Sequence, residues 1–255
     1  MGARVQRSAA WLRAALAGTP GRFWRSPADQ PPWARPALLA IAAVAGLTYA
    51  WGMDGAALEA FYGAAARSMS MSWHNFFFGA FDPAGTVSVD KLPGALWPQA
   101  LSLRIFGFHT WAIVLPQVIE GVVTILVLYR AVRRLAGPPA GLVAAAVVAT
   151  SPVTAALNRG NVADSLLILL IVLAADATSK ALSSGRLRSL LLAGVWVGLA
   201  FQAKMTVAWL VLPALAAAYL LAAPAGPPGP HSLGWSADRG RVGQLDHGRL
   251  ARARA

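Results

Sequence analysis

Apolar residues in this chain come in long runs, near 36–53, 111–129, 139–157, 163–179, 189–203 and 205–223. A helix needs roughly 20 such residues to cross a hydrocarbon core of about 30 Å, so the pattern predicts about six membrane crossings. Between the first two runs the pattern changes. Amphipathic periodicity predicts helices over 56–71 and 96–106, separated by the run Trp73-His74-Asn75-Phe76-Phe77-Phe78 and a Gly/Pro-punctuated stretch over 79–93. Aromatic rings at that density belong at headgroup level, so residues 54–110 read as a loop domain lying on the membrane. The expected fold is an all-α polytopic membrane protein whose large first loop carries interfacial helices. Three segments follow: a basic N-terminal stretch (1–35), a membrane domain (36–223), and a polar basic tail (224–255) that reads as disordered.

Composition supports lipid as the solvent. Only 13% of the 255 residues are charged, against roughly 25% in a soluble domain. The absence of cysteine removes disulfides, thiolate metal sites and a Cys nucleophile. The net charge of +12 does not form a patch interleaved with aromatics, so nucleic acid is not an expected partner. The bases sit instead in 1–35, at Arg130, Arg133 and Arg134, at Lys180, Arg186 and Arg188, and in the tail. The positive-inside rule puts all four groups, and therefore the N-terminus, in the cytoplasm.

That assignment sends the 54–110 loop, the Asn158–Asn161 loop and the turn at Lys204 to the other face. Five of the ten carboxylates go with them: Asp54, Glu59, Asp82, Asp90 and Asp164. Acids so concentrated in an acid-poor chain mark a candidate site, although outside loops need some polar residues in any case. Asp90-Lys91 pairs an acid with one of only three lysines at the headgroup plane, where an ammonium can hold phosphate as a point charge or simply be solvated. Asn158-Arg159-Gly160-Asn161 precedes Asp164, which opens an outside-facing helix where the dipole favours a carboxylate. Arg159 between two amides suits phosphate or sugar hydroxyls, or a snorkelling helix end. Lys204 marks a tight outside turn or reaches an anion. Glu120 falls mid-span, a hydrogen-bonded core acid or a pathway residue, and Asp176 is expected to pair with Lys180 one turn on. The acids do not exclude a divalent metal, but no spacing demands one. The P-loop, HExxH and GxSxG patterns are missing.

Taken in order, Glu59-Ala-Phe-Tyr62, Ser72-Trp-His-Asn-Phe-Phe-Phe-Gly-Ala-Phe-Asp-Pro83, Val87-Ser-Val-Asp-Lys91, Asn158-Arg-Gly-Asn161 with Asp164, and Gly198-Leu-Ala-Phe-Gln-Ala-Lys-Met205 resemble the bacterial branch of the family 39 glycosyltransferases. These are GT-C fold enzymes of the protein O-mannosyltransferase and aminoarabinose transferase type. The resemblance, over about residues 36–223, implies a bacterial plasma-membrane enzyme that moves a hexosyl or pentosyl group from a polyprenyl-phosphate donor. Transfer would be inverting, on the extracytoplasmic face, to a protein, lipid or glycan acceptor. It implies Glu59 as base with Asp54 close by, and Asp164 as a second acid that positions sugar or acceptor. Lys91, Arg159 and Lys204 would meet the donor phosphate, and Tyr62, His74, Asp90, Asn158 and Asn161 would face substrate.

The tail beyond Pro230 lacks the further spans that such relatives carry, so the chain reads as a truncated copy shifted out of frame there. The rival reading is a transporter or lipid-carrier flippase subunit, with Glu120 and Lys204 on its pathway.

Overall fold

The computed structural model describes residues 24–222. Most of the basic N-terminal segment and the tail from 223 onward, with the expectation of disorder there, lie outside the described residues. Within them the fold is all-α, as the hydrophobic runs predict. Helix α1 spans Ala34–Ala50, α2 Ala60–Met71, α3 Trp73–Phe78 and α4 Trp97–Phe106. Then come α5 over Thr110–Thr150, α6 over Pro152–Asn158, α7 over Asp164–Ser184, α8 over Leu187–Lys204 and α9 over Leu212–Ala222. Short 3₁₀ turns cover Met53–Gly55, Pro93–Ala95 and Met205–Val211.

Three helical stretches are long and apolar enough to cross a membrane: Thr110–Thr150, Asp164–Ser184 and the 36-residue Leu187–Ala222. The first is two limbs joined at Gly137, whose φ of 84° and ψ of 171° interrupt the helix. That left-handed backbone suits glycine, and Pro138 and Pro139 follow it. The chain reverses there, and Gly141 of the returning limb packs against Tyr129 and Arg133 of the outgoing one. The runs 111–129 and 139–157 are therefore separate limbs, as the sequence predicts. A second reversal follows Lys204, where Met205 takes φ 48°. Helix α9 then runs back beside α7 and α8, lining an apolar groove with Thr178, Ala193 and Val197.

Helix α1 packs on both limbs of α5 through Leu38, Ala45 and Tyr49 against Val114, Val118, Ile125, Tyr129 and Ala145. Arg130 and Arg134 of α5 both grip Asp176 of α7, with Arg130 making two bonds of 3.1 and 2.6 Å. The i, i+4 partnership of Asp176 with Lys180 expected from sequence is not made. Asp176 is 8% exposed, and two guanidiniums from the next helix compensate a buried carboxylate better than one solvated ammonium on its own helix. Glu120 is buried on the same face as Gln117 and Thr124 and makes no ion pair among the described residues.

The 54–110 loop is a small packed layer. Ala65, Met69, Phe76, Leu96 and Ala100 form its core, and Ala66 and Leu103 tie it to Ala112 and Ile113 of α5. Ser72 caps α3 by accepting from the Asn75 N–H. Gly94 is what lets this layer dock: a Cβ there would lie 2.6 Å from the Gln202 carbonyl oxygen. The backbone before α4 thus rests directly on the last turn of α8.

Candidate active site

The site gathers where the loop layer meets the ends of α7 and α8. Glu59 caps α2, its Oε2 accepting from the Tyr62 N–H at 2.8 Å. A capping carboxylate satisfies an orphan donor and sits at the positive end of the helix dipole. The Glu59 backbone is held from behind by Asn161, whose Oδ1 accepts from the Glu59 N–H at 2.7 Å while its Nδ2 donates to the Glu59 carbonyl at 3.0 Å. Asn161 is 1% exposed. Its own carbonyl accepts from Gln99 Nε2 at 3.3 Å. Gln117, with its amide oriented to satisfy both ends, accepts from Gln99 at 2.7 Å and donates to Ile113 and Val114 carbonyls. A buried file of amides therefore runs from α5 through α4 and the Asn161 loop to Glu59.

On one side of Glu59 lies a charged cluster. Lys91 Nζ donates to the Tyr62 hydroxyl at 2.8 Å and stands 3.8 Å from Asp90. The bond to Tyr62 holds the Lys91 pKa above its ordinary value, with smaller contributions from Asp90 and Asp164. Lys204 donates to Asp164 Oδ1 at 2.6 Å. The Gly94 docking brings the 90–95 backbone, and with it Lys91, toward the end of α8 that carries Lys204. Tyr62, Asp90, Lys91, Asp164 and Lys204, distant in sequence, thus share one place.

On the other side a cavity of 580 Å³ runs along α2, lined by Glu59, Gly63, Arg67, Ser68, Asp82 and Phe108 among others. Asp82 spends its carboxylate on its own loop. Both oxygens accept, from the Thr86 and Val87 N–H groups and the Thr86 hydroxyl, and these bonds, the Val87 one foremost, lower its pKa.

The remaining sequence candidates are used elsewhere. Arg159 turns away to donate to the Thr48 carbonyl at 2.9 Å, steadying the last turn of α1 beside a separate recess of 300 Å³. Asn158 is buried against Gly121, where a Cβ would come within 2.5 Å of its amide, so it serves helix packing. His74 lies against Phe78, ring centroids 4.9 Å apart, and does not line the cavity. Asp54 is exposed in the turn before α2 and shares no hydrogen bond with Glu59. No three His, Asp or Glu side chains converge among the described residues, so these acids do not assemble a metal ligand set.

Sequence reasoning passed over Arg67, Phe108 and the Gln99–Gln117 pair. Arg67 left a signal, as the single base between Pro36 and Asp90. The glutamines left none, because their roles exist only between helices.

The region from the charged cluster onward, residues 90–229, matches the family of dolichyl-phosphate-mannose-protein mannosyltransferases. This chain belongs to that family, whose members are membrane glycosyltransferases with a GT-C-like all-α architecture. Among curated relatives it is 41% identical over 185 residues to the "Putative mannosyltransferase YycA" of Bacillus subtilis (strain 168), covering 72% of this chain and 27% of that protein. To the "Putative mannosyltransferase YkcB" of the same organism it is 40% identical over 163 residues, covering 64% of this chain and 23% of the relative. The chain thus spans about a quarter of the length of these relatives. No solved structure matches it significantly.

Proposed function

We propose that this chain carries the membrane-surface active site of a glycosyltransferase that moves a sugar from a polyprenyl-phosphate donor to an acceptor hydroxyl on the extracytoplasmic face. The observation that carries this reading is the position of Glu59 at the start of α2, where it lines a substrate-sized cavity one turn from Tyr62, the partner of Lys91. One of its oxygens is committed to the α2 cap, and the other makes no hydrogen bond among the described residues.

In this mechanism that free oxygen takes the proton of the acceptor hydroxyl as the hydroxyl oxygen attacks the anomeric carbon. The bond from that carbon to the donor phosphate oxygen breaks on the opposite face, with inversion, and the electron pair leaves on the phosphate. Lys91 and Lys204 meet the growing phosphate charge, and such stabilisation is usually the largest catalytic term. Tyr62 orients Lys91 and Asp164 aims Lys204, while Asp90 keeps the cluster from carrying too much positive charge before donor arrives. The family name of the match, which contains a dolichyl-phosphate sugar, supports a lipid-phosphate donor. A transporter would need Glu120 and Lys204 on one pathway. Among the described residues Glu120 makes no ion pair, whereas the charged groups gather around Lys91 and Asp164.

Transfer of radiolabelled mannose from polyprenyl-phosphate mannose, in membranes expressing the chain, tests the reading. Glu59→Gln is expected to lower transfer at least about 100-fold, the scale of a lost general base. Transfer at the unsubstituted rate by Glu59→Gln sinks it.

A further inference from the structure

The cavity beside Glu59 contains a charge that the transfer chemistry does not use. Arg67 lies two turns along α2 from Glu59, about 12 Å at roughly 1.5 Å per residue, and lines the same cavity. It makes no ion pair among the described residues. Its guanidinium rests 4.6 Å from the centroid of the Phe108 ring, another lining residue. A cation held on an exposed aromatic face gains less than a bidentate bond to an oxyanion returns. The one other charged lining residue besides Glu59 is Asp82, whose carboxylate is bound by its own loop. Apart from Ser68 the rest of the cavity wall is apolar, with Leu58, Met71 and Phe81 its largest side chains besides Phe108.

We propose that Arg67 binds an anionic group, a phosphate or carboxylate, on the acceptor, which lies along α2 with its reacting hydroxyl at Glu59. The assignment rests on the transferase reading of Glu59 and adds the acceptor's chemical class. Under that reading Lys91 and Lys204 hold the donor phosphate, which leaves Arg67, about 12 Å of helix rise from Glu59, for the acceptor. A span of that length suits one to two sugar rings between the reacting hydroxyl and the anion.

Equilibrium dialysis on the full chain in detergent, with radiolabelled methyl glucoside 6-phosphate and neutral methyl glucoside as probes, tests this without any transfer assay. The phosphorylated probe is expected to bind roughly ten-fold or more tightly, the ratio set by one charge-assisted hydrogen-bonded contact. Arg67→Gln should erase that preference, Arg67→Lys should keep part of it, and Phe108→Leu, which frees the guanidinium, should preserve or raise it. A preference that survives Arg67→Gln, equal binding of the two probes, or no binding of either overturns the proposal. So does displacement of the phosphorylated probe by a short-chain polyprenyl phosphate, which would put the donor at Arg67. Loss of transfer in Glu59→Gln bears only on the transferase reading, so the two can fail separately.

Discussion

At the scale of single residues, the site depends on one buried asparagine that holds the Glu59 backbone. Asn161 returns two hydrogen bonds to the Glu59 backbone, at 2.7 and 3.0 Å, from a fully buried position. Removing it leaves the Glu59 N–H without its partner, at about 1–3 kcal/mol where water does not reach it, while the Glu59 carbonyl keeps its bond from the Gly63 N–H. Asn161→Ala should therefore destabilise the chain by about 1 kcal/mol or more and let the α2 cap drift, with transfer falling alongside. Asn161→Asp keeps the acceptor and loses the donor, and should fall between. Thermal unfolding in detergent checks both; an unchanged midpoint for Asn161→Ala would show that water replaces the clamp. The spacing Asn158-Arg159-Gly160-Asn161 is visible in the sequence as a polar island, but its division of labour is not. A side chain's partner lies on another helix about 100 residues away, and periodicity carries no information about it.

Among the elements, the decisive contact is the loop layer on α8. Gly94 sits with its α-carbon against the Gln202 carbonyl, so an added methyl would meet backbone that cannot rotate away. Overpacking of this kind costs about 1–3 kcal/mol. Gly94→Ala should lift residues 90–95 from the end of α8 and separate Lys91 from Lys204, while leaving α2 and the Arg67 cavity in place. Transfer should then fall with a raised KM for donor, while binding of the phosphorylated glucoside is retained. Loss of both together would mean that the loop layer moves as one body. The helices themselves were legible: 56–71 becomes Ala60–Met71 and 96–106 becomes Trp97–Phe106, with the start of α2 moved to the capping Glu59. The short α3 was not anticipated, because six aromatic-rich residues between Ser72 and Gly79 show too little periodicity to separate helix from loop.

For the whole molecule, the proposed orientation places the Glu59 end outside and the Arg130–Arg134 end in the cytoplasm. The chain has no cysteine, so single substitutions report on topology without background. Ser88→Cys should react with a membrane-impermeant maleimide in intact cells, and Ser183→Cys only after permeabilisation. The reverse pattern would invert the molecule and move the transfer reaction to the cytoplasmic face. The two ends differ in kind. At one, Arg130 and Arg134 close on Asp176 in a salt-bridged seam between α5 and α7; at the other, acids and bases are divided among a charged cluster, a cavity and the α2 cap.

What the sequence by itself determined is the solvent, the helices and the end of the molecule where chemistry is expected. Those follow from run length, from the paucity of charge and from where the bases fall, all of which are local or additive along the chain. It also singled out Glu59, Lys91, Asp164 and Lys204 as types suited to sugar transfer from phosphate. Only the tertiary structure decided which of them meet. The chain reversals at Gly137 and Met205 and the close approach at Gly94 brought Lys91 toward the Lys204 end of α8, turned Arg159 toward α1, buried Asn158 and Asn161, and set Arg67 against Phe108 in the cavity. Such juxtapositions arise from packing between segments far apart in sequence, where no spacing rule applies.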